Sequence, residues 1–116
     1  MSERIPRIFL DDILLAMAKV DDYTAALSRD DFKQTDMVID AVLRNLEVIG
    51  EAARNIPETL RQQYPHIPWP RIVGLRNVVI HAYFNVDLDI IWQIIQVNLP
   101  AVKEDIMKMH NDLLVE

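Results

Sequence analysis

The sequence contains no cysteine, only two glycines and no uninterrupted apolar run of about 18 residues. The absence of cysteine excludes a disulfide framework and a thiolate metal site, and it favours a reducing, cytoplasmic environment. The short apolar runs exclude a membrane-spanning helix, and the amino-terminal MSERIPRIFLDD does not resemble a signal peptide. Alternating strand patterns are also absent, and the prolines fall near presumed boundaries. The sequence therefore predicts an all-α protein.

The length of 116 residues fits one domain with a hydrophobic core and is too short for two ordinary domains. No internal repeat or low-complexity segment divides it. We therefore expect residues 1–116 to form a single helical domain, arranged as an up-and-down bundle of four or five helices.

The net charge of −6 is unevenly distributed along the chain. Residues 54–86 contain four arginines and one glutamate, so this segment carries a charge of +3 and the rest of the chain carries −9. A basic segment on an acidic body can hold a phosphate locally while the remaining surface discourages loose binding of nucleic acid. The acidic residues are equally consistent with ordinary solvated helix faces.

Apolar residues three or four positions apart predict the first two helices. The first runs from about Pro6 to Leu27, and the following SRDD is expected to break it. The second begins near Thr35 or Asp36 and runs to about Ile56. Its charged stripe is either a solvated ladder of ion pairs or the wall of a polar cleft. The stripe consists of Asp40, Arg44, Glu47, Glu51 and Arg54.

The second half of the chain predicts a connector and three more helices. The proline-rich residues 64–70 indicate a rigid connector that Trp69 anchors to the core. A third helix is expected over residues 71–84. Asp87 is a suitable N-cap for a fourth helix, and a last helix starts or kinks at Pro100. The fourth helix has a broader apolar surface than one small core needs, which suggests burial against another chain.

A polar cluster interrupts the otherwise apolar third helix. Arg76, Asn77, His81 and Tyr83 lie among apolar residues, where polar groups need partners or a task. At about 100° per residue, Arg76 and Tyr83 lie nearly in line, and Asn77 and His81 form a neighbouring row. About 140° separates Arg76 from His81, and the long arginine side chain can reduce that gap.

These side-chain types suit RNA cleavage by the RNA's own 2′-hydroxyl, which requires no metal. The enzyme must remove a proton from that hydroxyl, protonate the leaving 5′-oxygen and stabilise the charge on the phosphate. Histidine suits the proton transfers and arginine suits the charge. One chain offers a single candidate histidine, so a two-fold dimer would have to supply a second His81 and a second Arg76.

Residue types alone leave other interpretations open. A lone histidine on an apolar helix is usually a core residue, and Arg76 can simply pair with Glu47 or Glu51 on a neighbouring helix. The chain would then be a structural helical dimer with an internal ion-pair network. A zinc site is disfavoured because no second histidine or cysteine stands at ligand spacing, and serine catalysis lacks a plausible nucleophile.

The chain resembles the HepT-like toxins of the HEPN superfamily. Arg76, His81 and Tyr83 match the Arg-x4-His-x-Tyr signature of that family, and Asn77 matches the polar residue that often follows the arginine. Three longer blocks resemble the family in the same order. They are RNLEVIGEAARNIP (44–57), YPHIPW (64–69) and GLRNVVIHAYFNVD (74–87).

The resemblance implies a HEPN-type helical bundle that dimerises through the motif helix, so that two Arg-x4-His motifs share one cleft. It further implies a metal-independent endoribonuclease without a cofactor of its own, the toxin of a type VII toxin–antitoxin pair. In this family's pattern His81 is the acid or base, Arg76 holds the phosphate and Asn77 supports either residue.

The implied partner is an MNT-type nucleotidyltransferase, the antitoxin, which transfers AMP from ATP to Tyr83. The added bulk and negative charge would exclude RNA from the cleft. A rival expectation is that the chain is a non-catalytic binding subunit of a nucleotidyltransferase complex.

Overall fold

The computed structural model describes residues 4–84 and 87–114, with side chains for residues 6–82 and 87–114. All regular secondary structure in these ranges is helical, which confirms the all-α prediction. The helices are α1 (Arg4–Thr24), α2 (Arg29–Gln34), α3 (Asp36–Asn55), α4 (Glu58–Arg61), α5 (Trp69–Val73), α6 (Leu75–Phe84), α7 (Leu88–Gln93) and α8 (Leu99–Leu114), and a π-helical segment, Ile94–Asn98, joins α7 to α8. None of these helices is long and apolar enough to cross a membrane.

The core lies where α1 and α3 pack against each other, with α8 against α1 and α5 and α6 against α3. The apolar stripe predicted for the second helix is buried in α3. Its buried members are Val42, Leu46, Ile49, Ala53 and, just beyond the helix, Ile56. The charged stripe on the same helix faces outward, so burial of the apolar side positions the charged residues.

The first helix ends at Thr24, three residues before the predicted end, and SRDD begins a helix instead of only ending one. The backbone N–H of Asp31 donates to Ser28 Oγ at 3.1 Å, and the backbone N–H of Ser28 donates to Asp31 Oδ2 at 3.3 Å. This reciprocal capping box starts α2. Phe32 of α2 is fully buried, and its ring centroid lies 5.3 Å from that of Trp92, which ties α2 to α7.

The connector is anchored by Trp69, as predicted. Its side chain is buried, and the indole N–H is shared between the carbonyl oxygens of Arg61 and Tyr64, each at 3.1 Å. Pro70 lies in the first turn of α5, where its missing N–H costs no helical hydrogen bond. The connector therefore passes directly into α5, slightly earlier than the sequence indicates.

The predicted third helix is in fact two helices, α5 and α6, which meet at Gly74. At this junction Gly50 of α3 makes a close backbone approach. A Cβ atom at Gly50 would lie 3.2 Å from the backbone N of Arg76 and 3.3 Å from the carbonyl oxygens of Ile72 and Val73. The absence of a side chain at Gly50 thus lets α3 touch the α5–α6 junction, and this contact fixes which residues of α3 face α6.

The predicted fourth and last helices form one continuous rod. Asp87 caps its start as expected, because Asp87 Oδ1 accepts a hydrogen bond from the backbone N–H of Ile90 at 3.3 Å. The π segment joins α7 to α8 without a break, and α8 starts at Leu99, next to the predicted position Pro100. Before it, the backbone N–H of Leu99 donates to the carbonyl of Ile94, five residues back. This wider π turn accommodates a proline that has no N–H and whose ring crowds the preceding turn.

The rod and α1 run antiparallel. His110 of α8 pairs with Asp11, and Lys103 Nζ lies 3.7 Å from Asp21 Oδ2, so the two contacts occur in opposite order along the helices. His110, to which the sequence pattern assigns no role, is therefore a half-buried contact between the first and last helices.

Replacing Gly50 by valine tests the close approach at the α5–α6 junction. The variant places three carbon atoms where even one meets backbone atoms at 3.2–3.3 Å. We expect the free energy of unfolding, measured by urea denaturation, to fall by about 1–3 kcal/mol. Ala18→Val, on the exposed face of α1, is the matched control and should cost only roughly half a kcal/mol of helix propensity. A Gly50→Val protein as stable as the control would contradict the contact.

Candidate active site

Helix α6 has one buried and one exposed face. The buried residues Leu75, Val79 and Ala82 pack on the core. The exposed residues, which we call the α6 ridge, are Arg76, Asn77, Ile80 and His81. Three members of the polar cluster, Arg76, Asn77 and His81, are thus on the surface, and the alternative of a core histidine is wrong for His81.

Arg76 is directed toward α3, where it forms an ion pair with Glu51. Arg76 Nη1 donates to Glu51 Oε1 at 3.1 Å. The pair is a direct consequence of the close approach at Gly50, the residue before Glu51. Both side chains are nearly half exposed, at 49% and 42%, so their attraction contributes less than about 1 kcal/mol to stability. Of the two partners that the sequence offers, Glu47 and Glu51, the structure selects Glu51.

Glu51 also faces Arg54, the last arginine of α3. Arg54 Nη1 lies 3.9 Å from the same Oε1 atom that accepts from Arg76. Within the described part of the chain, the charged stripe of α3 therefore forms one ion pair of the predicted ladder, Arg54 with Glu51, and Glu51 also reaches α6. Its interpretation as the wall of a polar cleft stays a prediction. The sequence pattern places Arg54 in the stripe and gives it no part in the site.

His81 lies on the other flank of α6. It lines a groove of about 200 Å³ between α6 and α7. The groove is completed by Val78, Ala82, Asp87, Ile90 and Ile91. Since Arg76 and His81 are about 140° apart around the helix axis, Arg76 borders α3 while His81 borders α7. Among the described residues no hydrogen bond or ion pair joins the two side chains, and a single chain does not bring them together.

Asn77 lies between the two flanks in the first turn of α6. Its backbone N–H donates to the carbonyl of Gly74 at 3.0 Å, and its side chain is exposed. Tyr83 lies in α6, but the prediction for its side chain falls outside the described residues. The ridge therefore carries three of the four polar residues of the cluster.

A larger apolar groove, of about 450 Å³, separates α5 and α6 from the π segment and α8. Its wall includes Leu75, Val78, Ile94, Val97 and Val102. Val78 belongs to both grooves, so the apolar surface continues to the edge of His81. Val97 and Ile90 are 56% and 52% exposed along it. The sequence indicates an excess of apolar residues in the predicted fourth helix, and this excess is thus present at the surface.

The other two histidines lie outside the ridge. His66 Nε2 is 3.6 Å from Asp105 Oδ1, and His110 pairs with Asp11. Beside them, burial raises the pKa of Tyr64, and a hydrogen bond to the Asp112 carboxylate at 2.8 Å raises it further. In the described part of the chain, no three histidine, cysteine, aspartate or glutamate side chains cluster in a way that could hold a metal ion.

The sequence is similar to those of proteins described as ribonucleases. The family model described as "Ribonuclease HepT-like" matches residues 13–109. The chain is 39% identical over 106 residues to "Putative RNase MJ1380" of Methanocaldococcus jannaschii, which covers 91% of this chain and 97% of that relative. It is 34% identical over 107 residues to "Probable ribonuclease HepT" of Thermococcus cleftensis, covering 92% and 97%.

A third relative, also from Methanocaldococcus jannaschii, is a longer protein named "Gamma-glutamylcyclotransferase and putative RNase MJ0434". The identity is 37% over 107 residues, or 92% of this chain, and the chain spans only 48% of that relative's length. No solved structure matches the chain.

Proposed function

Because the chain belongs to the HepT-like ribonuclease family, we infer that it is a metal-independent endoribonuclease whose site is completed by a second copy of the chain. The observation that carries this proposal is the exposed α6 ridge, on which Arg76 and His81 occupy opposite flanks. Two copies that meet along their ridges about a two-fold axis would set Arg76 of one copy opposite His81 of the other.

The chemistry follows from these two side chains. One His81 takes the proton from the 2′-hydroxyl as its oxygen forms a bond to the adjacent phosphorus. The bond from phosphorus to the 5′-oxygen breaks, and the second His81 protonates that oxygen. Arg76 stabilises the charge on the phosphate oxygens. The products are a 2′,3′-cyclic phosphate and a 5′-hydroxyl end. This step needs neither water as a reactant nor a metal ion.

The apolar grooves beside the ridge support the choice of a second copy as the partner. They run from the α5–α6 junction to His81, with exposed Val97 and Ile90 along their edges. Ile80, which is 41% exposed, adds apolar area to the ridge itself. Covering this surface would contribute hydrophobic free energy to association. The same contact that buries apolar area would bring the two motifs together.

Regulation follows from the family resemblance. In this proposal the chain is the toxin of a type VII toxin–antitoxin pair that acts on RNA in the cytoplasm. The antitoxin is an MNT-type nucleotidyltransferase that uses ATP to attach AMP to Tyr83. Tyr83 lies seven positions after Arg76 and nearly in line with it on α6, so the added phosphate would repel RNA beside the arginine that holds the reacting phosphate.

Substituting His81 by alanine tests the catalytic role. Since His81 is exposed, the variant should keep its fold while the rate of RNA cleavage falls by roughly 10²- to 10⁴-fold. His66→Ala, which removes another exposed imidazole, is the matched control and should cleave at the parent rate. Cleavage by His81→Ala at the parent rate would end the catalytic assignment. Intact RNA with the unmodified parent protein would instead favour a binding subunit.

Intact mass spectrometry tests the modification. After co-expression with the nucleotidyltransferase, the parent chain should gain the mass of one or more AMP units, because the phenol of Tyr83 is the acceptor. Tyr83→Phe should gain none. Tyr23→Phe removes a tyrosine that is 40% exposed on α1 and should be modified like the parent. AMP on Tyr83→Phe would refute the proposed acceptor.

A further inference from the structure

Two arginines from different helices share one carboxylate oxygen at the edge of the α6 ridge. Arg76 Nη1 of α6 lies 3.1 Å from Glu51 Oε1, and Arg54 Nη1 of α3 lies 3.9 Å from the same atom. The two guanidinium nitrogens are therefore at most 7.0 Å apart. One carboxylate between two guanidinium groups leaves a net charge of +1 on this cluster.

Among the described residues, most N–H donors of Arg54 and Arg76 have no hydrogen-bond partner. A guanidinium carries five N–H donors, and Arg76 uses one of them for Glu51. Arg54 lies beyond hydrogen-bond distance of Glu51 and is 63% exposed, the more exposed of the two arginines. Planar guanidinium groups with open N–H forks match the oxygens of a phosphate in pairs.

The location of the cluster indicates what kind of anion it would hold. It borders the ridge on the side opposite the His81 groove, within the part of the chain that carries net positive charge. The rest of the chain is acidic and repels polyanions, so an approaching nucleic-acid strand is favoured at this edge. A strand whose reacting phosphate lies at Arg76 must extend to one side or the other of the ridge.

We propose that Arg54 and Arg76 form a paired phosphate site, in which Arg54 binds a phosphate of the RNA strand next to the one that reacts. The proposal rests on the proposed function, since it assigns the reacting phosphate to Arg76. It adds a binding residue on α3 that does not belong to the Arg-x4-His motif. Arg54 contacts the strand and takes no part in the proton transfers.

The structural alternative is that Arg54 only stabilises α3. It lies in the last turn of that helix, where a cation interacts favourably with the helix dipole. In that case a neutral residue at position 54 would lower the melting temperature and leave RNA affinity unchanged. Loss of RNA affinity would therefore indicate a binding role for Arg54, and a lower melting temperature alone would indicate a structural role.

The experiment measures binding of a single-stranded oligonucleotide that is 2′-O-methylated throughout. This probe cannot be cleaved because the attacking hydroxyl is blocked, so its binding does not depend on catalysis. We expect Arg54→Gln to bind roughly fivefold more weakly at low ionic strength than the parent. The slope of log affinity against log salt should become shallower by about 0.7 for each phosphate that the variant no longer binds.

Arg29→Gln is the matched control, because Arg29 is 61% exposed and also faces one carboxylate, Asp89, at 3.8 Å. It removes the same charge from α2, which is not part of the ridge, and should bind the probe like the parent. Parent-like affinity and salt slope for Arg54→Gln would overturn the proposal, and so would equally weakened binding in both variants.

The outcome is separable from that of the proposed function. If the parent binds the probe and Arg54→Gln binds it weakly, the paired site stands even where no natural RNA is cleaved. If the parent cleaves RNA and Arg54→Gln binds the probe normally, the nuclease stands and the paired site fails. A parent protein that does not bind the probe would overturn the paired site directly.

Discussion

The close approach between Gly50 of α3 and the backbone at the α5–α6 junction is the constraint on which the site depends. It leaves no room for a side chain, and it places the next residue, Glu51, within hydrogen-bond distance of Arg76. It also sets the rotation of α6, which buries Leu75, Val79 and Ala82 on the core and exposes the ridge. A shift of either helix would move Arg76 relative to α3 and, through the rigid helix, would move His81 as well.

The same arrangement separates stability from function. The core supplies the stability of the fold through buried apolar stripes, whereas the exposed ion pairs of the ridge contribute little. Polar groups on the ridge need no buried partners, and they remain free to contact a substrate. Because one chain carries a single histidine on the ridge and sets Arg76 about 140° away from it around the helix axis, the proposed chemistry requires association. The apolar surface that continues through both grooves to His81 gives that association a physical cause.

Much of the fold could be predicted because its signals are local. The Asp87 cap and the Trp69 anchor each follow from a few neighbouring residues. SRDD also contains the capping box at Ser28, a local signal that the prediction of a simple break overlooks. The π turn before Pro100 and the interruption at Gly74 depend on packing between helices, and no short sequence pattern specifies them. For the site, residue types and the family resemblance predict Arg76 and His81. The contact that links Arg76 to Glu51 and Arg54 depends on the tertiary approach at Gly50.

Cleavage by linked dimers tests most directly whether Arg76 acts with His81 of the other copy. Two copies are joined by a flexible linker, one with Arg76→Ala and the other with His81→Ala, so that the remaining pair lies on different copies. The matched dimer joins a parent copy to one that carries both substitutions, so that the remaining pair lies on one copy. Each dimer keeps a single His81, so both should cleave RNA more slowly than a linked parent dimer, and we expect the first dimer to cleave faster than the second. Equal rates, or a faster second dimer, would contradict it.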